Sequence, residues 1–160
     1  MTKQEEKRFY QGFNIGRRCG KTKNNQQVGK EFENAFLEHL AKEGFWAHFM
    51  NPAPDGSQPF DIIALKNVSG TDKPNIMACA FDCKTLKGHR FPLSRIEDNQ
   101  EGAFEALNRI GVHNTYFVID CGNNMYCLIP SQEAIEERRK GRASLSIDGR
   151  QRFYLKQDIH

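Results

Sequence analysis

The stretch NIMACAFDCKTLKGHRFPLSRIEDNQ, residues 75–100, passes from an apolar run into a charged one. Residues 76–81 read as a strand entering a core, and Asp82 and Lys84 stand two apart at its end. Strand side chains alternate between faces, so both project from the same face of a sheet. A structural ion pair and a catalytic site are each consistent with that placement. The flanking sequence has to separate them.

On the C-terminal side, SRIEDNQEGAFEALNRIG reads as a helix, with Ser94 and Glu97 in a capping-box pattern and Gly111 as its stop. Ile96, Ala103, Phe104 and Leu107 form the apolar stripe of this helix, and Gln100 falls within the stripe. A buried amide needs partners. Either a backbone group or a polar cavity would supply them. On the N-terminal side, FDIIAL (60–65) is a strand that Asp61 opens, and the polar turn NVSGTDKPN makes it a hairpin with residues 76–84. FWAHFM (45–50) is a further strand, followed by the Pro- and Gly-marked loop NPAPDGSQP. From Val28 the apolar residues Phe32, Ala35, Phe36 and Leu40 recur at helical steps as far as Gly44, and Glu33 lies at the edge of that stripe. After the second helix come the strands TYFVID and MYCLIP joined by CGNN, a short helix SQEAIEERRKG, and strand-like pieces ASLSI and RFYL. The order predicts an α/β fold with a mixed central sheet flanked by helices.

At 160 residues the chain is long enough for one domain with a full core. Residues 1–25 read as a basic, flexible arm, and residues 26–160 as a single folded domain. The first 30 residues hold eight Lys or Arg against Glu5 and Glu6, within an overall net charge of +3. A basic arm on a mildly acidic body fits nucleic acid as the partner, and a solvated tail fits it as well. No apolar stretch approaches the ~20 residues of a membrane helix. The N-terminus lacks a secretory signal core. A cytoplasmic protein with no membrane partner is expected. The five cysteines include no C-x-x-C pair, so zinc is not expected.

Asp82, Lys84, Asp61 and Glu33 form a set with chemical meaning. Neighbouring carboxylates create a negative field that a hard divalent cation relieves. A nearby lysine can orient a water and offset charge as a phosphodiester is attacked. FDCK followed by FPL, then NQ one turn into a helix, then TYFVI and YCLIP, resembles the RecU-type Holliday junction resolvases (the penicillin-binding-protein-related factor A family) of the PD-(D/E)xK nuclease superfamily. GKEFENAF and PFD fit the family's order upstream, so the resemblance spans about residues 28–130.

The resemblance implies a restriction-endonuclease-like core. It implies a dimeric DNA endonuclease that resolves four-way junctions by paired nicks in recombination and repair, using Mg²⁺ or Mn²⁺. Asp61, Asp82 and the carbonyl of Cys83 would hold the metal, with Glu33 contributing directly or through water. Lys84 would position the attacking water, and Gln100 would hold the active-site side or the DNA backbone. DNA contacts are expected from Arg17, Arg18, Lys21, Lys23, Lys30, Lys87 and Arg90, with Lys7 and Arg8 in the arm and Arg138, Arg139, Lys140 and Arg142 as further basic surface. Two features depart from the family. NPAPDGSQP is too short for its projecting stalk, and Asp82 stands where glutamate is also common. A nuclease acting on duplexes, nicks or flaps, and a non-catalytic DNA-binding or recombinase-regulating protein, remain the alternatives.

Overall fold

The structure is a computed structural model that describes residues 24–156. The arm residues Arg17, Arg18, Lys21 and Lys23 lie outside them.

The first helix, α1 (Asn25–Lys42), starts three residues before the apolar periodicity suggests. Asn24 and Gln27 cause this by capping each other: the Asn24 side chain accepts from Gln27 N at 2.9 Å, and Gln27 Oε1 accepts from Asn24 N at 3.3 Å. Phe32, Phe36 and Leu40 are buried along one stripe. Gly44, at φ +90°, turns the chain out of the helix through a conformation that side chains resist.

Among the described residues eight strands follow: β1 (Trp46–Phe49), β2 (Ile62–Asn67), β3 (Ile76–Thr85), β4 (Arg90–Pro92), β5 (Asn114–Gly122), β6 (Met125–Pro130), β7 (Ser144–Ser146) and β8 (Phe153–Tyr154). Six make one sheet in the order β1-β2-β3-β5-β6-β8, while β4 and β7 pair separately. β2 and β3 form the expected antiparallel hairpin. β3 and β5 run parallel, which demands a crossover, and α2 (Asp98–Arg109) lies within it. The β5–β6 turn places Asn123 and Asn124 at φ 55° and 59°, the left-handed pair that a tight hairpin favours.

The sheet is covered on both faces. α1 lies over Ile62, Ala64, Cys79, Phe81, Val118 and Tyr126. α2 and α3 (Ser131–Arg139) cover the other face, where Ala80, Phe91, Phe104, Phe117, Ile119 and Ile129 pack. This is the α/β, mixed-sheet class that the element order predicts.

One expected end signal is corrected. α2 begins at Asp98 with Glu97 as its N-cap, and Ser94 sits in a 3-10 turn, Leu93–Arg95. β4 pairs with β7, and Leu93 N donates to the Ala143 carbonyl at 2.9 Å. Leu93 and Ile96 are buried in the same core as Phe91, Phe104 and Phe117, and Ile96 is extended (ψ 117°), so the helix starts only after Glu97.

Candidate active site

The β2–β3 register pairs Ile62 with Phe81 and so sets Asp61 beside Asp82 at one end of the sheet. Asp82 and Lys84 share a face with Ala80, the face that α2 covers. Asp61 is fixed through its backbone, which donates to the Phe81 carbonyl at 3.0 Å while its own carbonyl accepts from Met50 N at 2.8 Å. Its Oδ2 accepts from Cys83 N at 2.7 Å, and its Oδ1 from Gln58 Nε2 at 3.2 Å.

Asp82 is only 2% exposed. Its Oδ1 accepts from Gln100 Nε2 at 3.0 Å. Lys84 Nζ stands 2.9 Å from the buried Oδ2 as an ion pair. Lys84 Nζ also donates to the Arg95 carbonyl at 3.3 Å, and Arg95 Nη1 donates to the Thr85 carbonyl. The lysine is therefore held between Asp82 and the 3-10 turn.

Charge in this corner is only partly compensated. Asp61 is pushed up to about 8, first by burial and then by the negative charges of Asp82 and Glu33, against the pull of the Cys83 N–H. Asp82 is raised by burial, with Lys84 opposing. Burial, followed by the Asp61 and Asp82 charges, lifts the Cys83 thiol well above its ordinary range. The thiol is thus held in its protonated form, and what Cys83 brings to Asp61 is its backbone N–H.

Gln100 satisfies both readings open to it in the sequence. Its Oε1 accepts from Glu97 N at 3.2 Å while its amide nitrogen serves Asp82. Glu33 reaches the site differently from the carboxylate pair. It lies on the helix over the opposite face, pairs with Lys30 at 3.3 Å, and acts on Asp61 through its field. Lys30 Nζ also sits 4.4 Å from the centre of the Phe49 ring, at the site end of β1. Lys87 is exposed in the loop after β3. Arg90 is engaged in the fold, with Nε donating to Ser144 Oγ at 2.7 Å.

The basic cluster at the end of α3 is largely spent on acidic neighbours. Arg138 pairs with Glu101 at 2.7 Å and Asp98 at 3.4 Å, and Arg139 pairs with Glu101 and Glu105. α2 thus presents carboxylates to Arg138 and Arg139, while Lys140 and Arg142 pair with Glu137 of α3 itself.

Gln58, Arg95 and Asn99 are site neighbours that sequence reasoning missed. Gln58 lies in a loop with no periodicity to mark it, and Asn99 and Arg95 look like ordinary surface residues.

Among the described residues, no three or more His, Cys, Asp or Glu side chains form a ready metal cage. Mg²⁺ does not require one, since it commonly takes one or two carboxylates and keeps several waters. Two adjacent carboxylates whose charge is opposed by burial fit such an ion, which would offset that charge.

No family model matches, nor does any curated protein. One similar solved structure is Hjc, a Holliday junction resolvase from the archaeal hyperthermophile Archaeoglobus fulgidus. The TM-score is 0.47 at 21% identity, covering 65% of this chain and 78% of that one. A likeness at this level says nothing about chemistry, which the side chains have to carry.

Proposed function

We propose that this protein is a metal-dependent, structure-selective DNA endonuclease of the RecU type, acting as a homodimer that resolves four-way junctions by paired nicks. The observation that carries the reading is the cross-strand pair Asp61–Asp82, two carboxylates side by side where burial opposes their charge, with Lys84 held alongside. In a purely structural Asp–Lys pair a second carboxylate alongside would only cost stability.

Asp61, Asp82 and the Cys83 carbonyl would hold Mg²⁺, or Mn²⁺ in its place, with Glu33 adding negative field from the far side of the sheet. The bound ion would supply Lewis acidity toward the phosphate and lower the pKa of a bound water. Lys84, fixed by the Arg95 carbonyl and Asp82, orients the attacking water and offsets charge that builds on the phosphate oxygens. Gln100 keeps the Asp82 carboxylate in one orientation by holding Oδ1. Lys30 and Lys87 flank the site as phosphate contacts, which position DNA without reading sequence. The arm residues Arg17, Arg18, Lys21 and Lys23 would extend that contact. A recombinase is a further partner within this reading.

The pairing of Arg138–Arg142 with acidic groups favours a second reading, a nuclease of broader specificity for duplexes, nicks or flaps. It removes one basic surface on which junction selectivity would rest. The test is cleavage in Mg²⁺ of a labelled four-way junction against a linear duplex of the same sequence. Paired symmetric nicks in the junction, with the duplex largely intact, support resolution. Equal cutting of both supports the broader nuclease, and no cutting of either contradicts both.

A further inference from the structure

The two carboxylates are tethered from a single turn of α2. Gln100 reaches Asp82 Oδ1 directly. Its neighbour Asn99 donates from Nδ2 to the Gln58 carbonyl at 2.8 Å. Gln58 then donates from Nε2 to Asp61 Oδ1 at 3.2 Å and to the Phe60 carbonyl at 3.1 Å. Consecutive amides thus reach both carboxylates, one directly and one through the β1–β2 loop.

We infer that Gln58 and Asn99 are positioning residues of the metal-binding pair: Gln58 fixes the plane of the Asp61 carboxylate, and Asn99 fixes Gln58. The inference rests on the reading of Asp61 and Asp82 as metal ligands. A carboxylate held at one oxygen alone can still turn about its last bond. Asp61 is held at both, by Cys83 N on Oδ2 and by Gln58 on Oδ1. Each oxygen keeps a further lone pair for a cation, since a carboxylate offers about four acceptor sites. The loop that carries Gln58 contains Pro52, Pro54, Gly56 and Pro59 and has no ladder of its own, so the Asn99 bond gives it a fixed point three residues before Asp61. Groups that hold a metal ligand in place typically change metal affinity about 10–100-fold when removed.

A merely structural tether would stabilise the loop without ordering the two residues in series. Calorimetric Mn²⁺ titration of the whole protein, its Gln58→Met and Asn99→Ala variants and the double variant separates the cases, with metal-free melting measured alongside. Methionine keeps the length of glutamine and loses the donor. Affinity should fall about 10–100-fold in Gln58→Met and less in Asn99→Ala. The double variant should bind no more weakly than Gln58→Met alone, because Asn99 acts through the amide already removed. Asn99→Leu, which keeps the bulk without the donor or a new charge, should repeat the Asn99→Ala loss if that variant proves unstable. Unchanged affinity in Gln58→Met overturns the inference while leaving the carboxylate pair as the metal site. Additive losses in the double variant overturn the order of Asn99 behind Gln58. A parent protein that binds no Mn²⁺ overturns the metal reading, and this inference with it.

Discussion

Burial and the neighbouring carboxylates oppose the charge of Asp61, and its titration should be visible in the stability of the metal-free protein. Its pKa is raised from 3.8 toward about 8, so between those values the folded state holds a proton that the unfolded chain has lost. The stabilisation is complete below the unfolded value and disappears as pH rises through the folded one. Melting temperature in chelator should therefore fall from about pH 4 to about pH 8, and the slope should flatten in Asp61→Asn. A rise over the same interval in the parent protein would contradict the electrostatic account. Bound Mg²⁺ replaces that proton, so the metal-induced gain in melting temperature should grow with pH. Lys84 is separable from the metal: Lys84→Ala should lower cleavage at least ~100-fold while Mn²⁺ affinity stays close to the parent's. Loss of both together would make the lysine a structural prop of Asp82.

At the scale of elements, the start of α1 rests on the reciprocal bonds of Asn24 and Gln27. Asn24→Ala should cost about 1 kcal/mol, seen as a drop of ~2–4 °C in melting temperature for a chain of this size. No change would mean that packing of Phe32 and Phe36 alone sets the helix start. The same helix shows what sequence can reveal. Its stripe from Phe32 to Leu40 was legible, because burial imposes a 3.6-residue period. Its first turn was not, because a polar cap leaves no period. The D-x-K strand and the β2–β3 hairpin were legible for the same reason, since alternation and a polar turn are local. The short β4 and β7 owe their pairing to each other across more than 50 residues, and no local pattern marks them as partners. Gln58 and Asn99 were hidden for a related reason: their role depends on a loop meeting a helix 41 residues away.

Across the whole molecule, the distribution of charge decides which surfaces remain for DNA. Arg138 bridges Glu101 and Asp98 on α2, so it ties two helices together. Arg138→Ala should leave DNA affinity unchanged and cost up to about 1 kcal/mol of stability. A clear loss of DNA affinity would return that end of α3 to the binding surface. The central claim is that the Asp61–Asp82 pair makes this sheet a metal-dependent nuclease. Its most direct test is cleavage of a labelled four-way junction in Mg²⁺ by the parent protein and by Asp82→Asn, with binding to the same junction measured in chelator. Asp82→Asn keeps the shape and removes the charge. The account predicts metal-dependent nicking by the parent, a loss of at least ~100-fold in the variant, and equal binding by the two. Equal cleavage by parent and variant would contradict it.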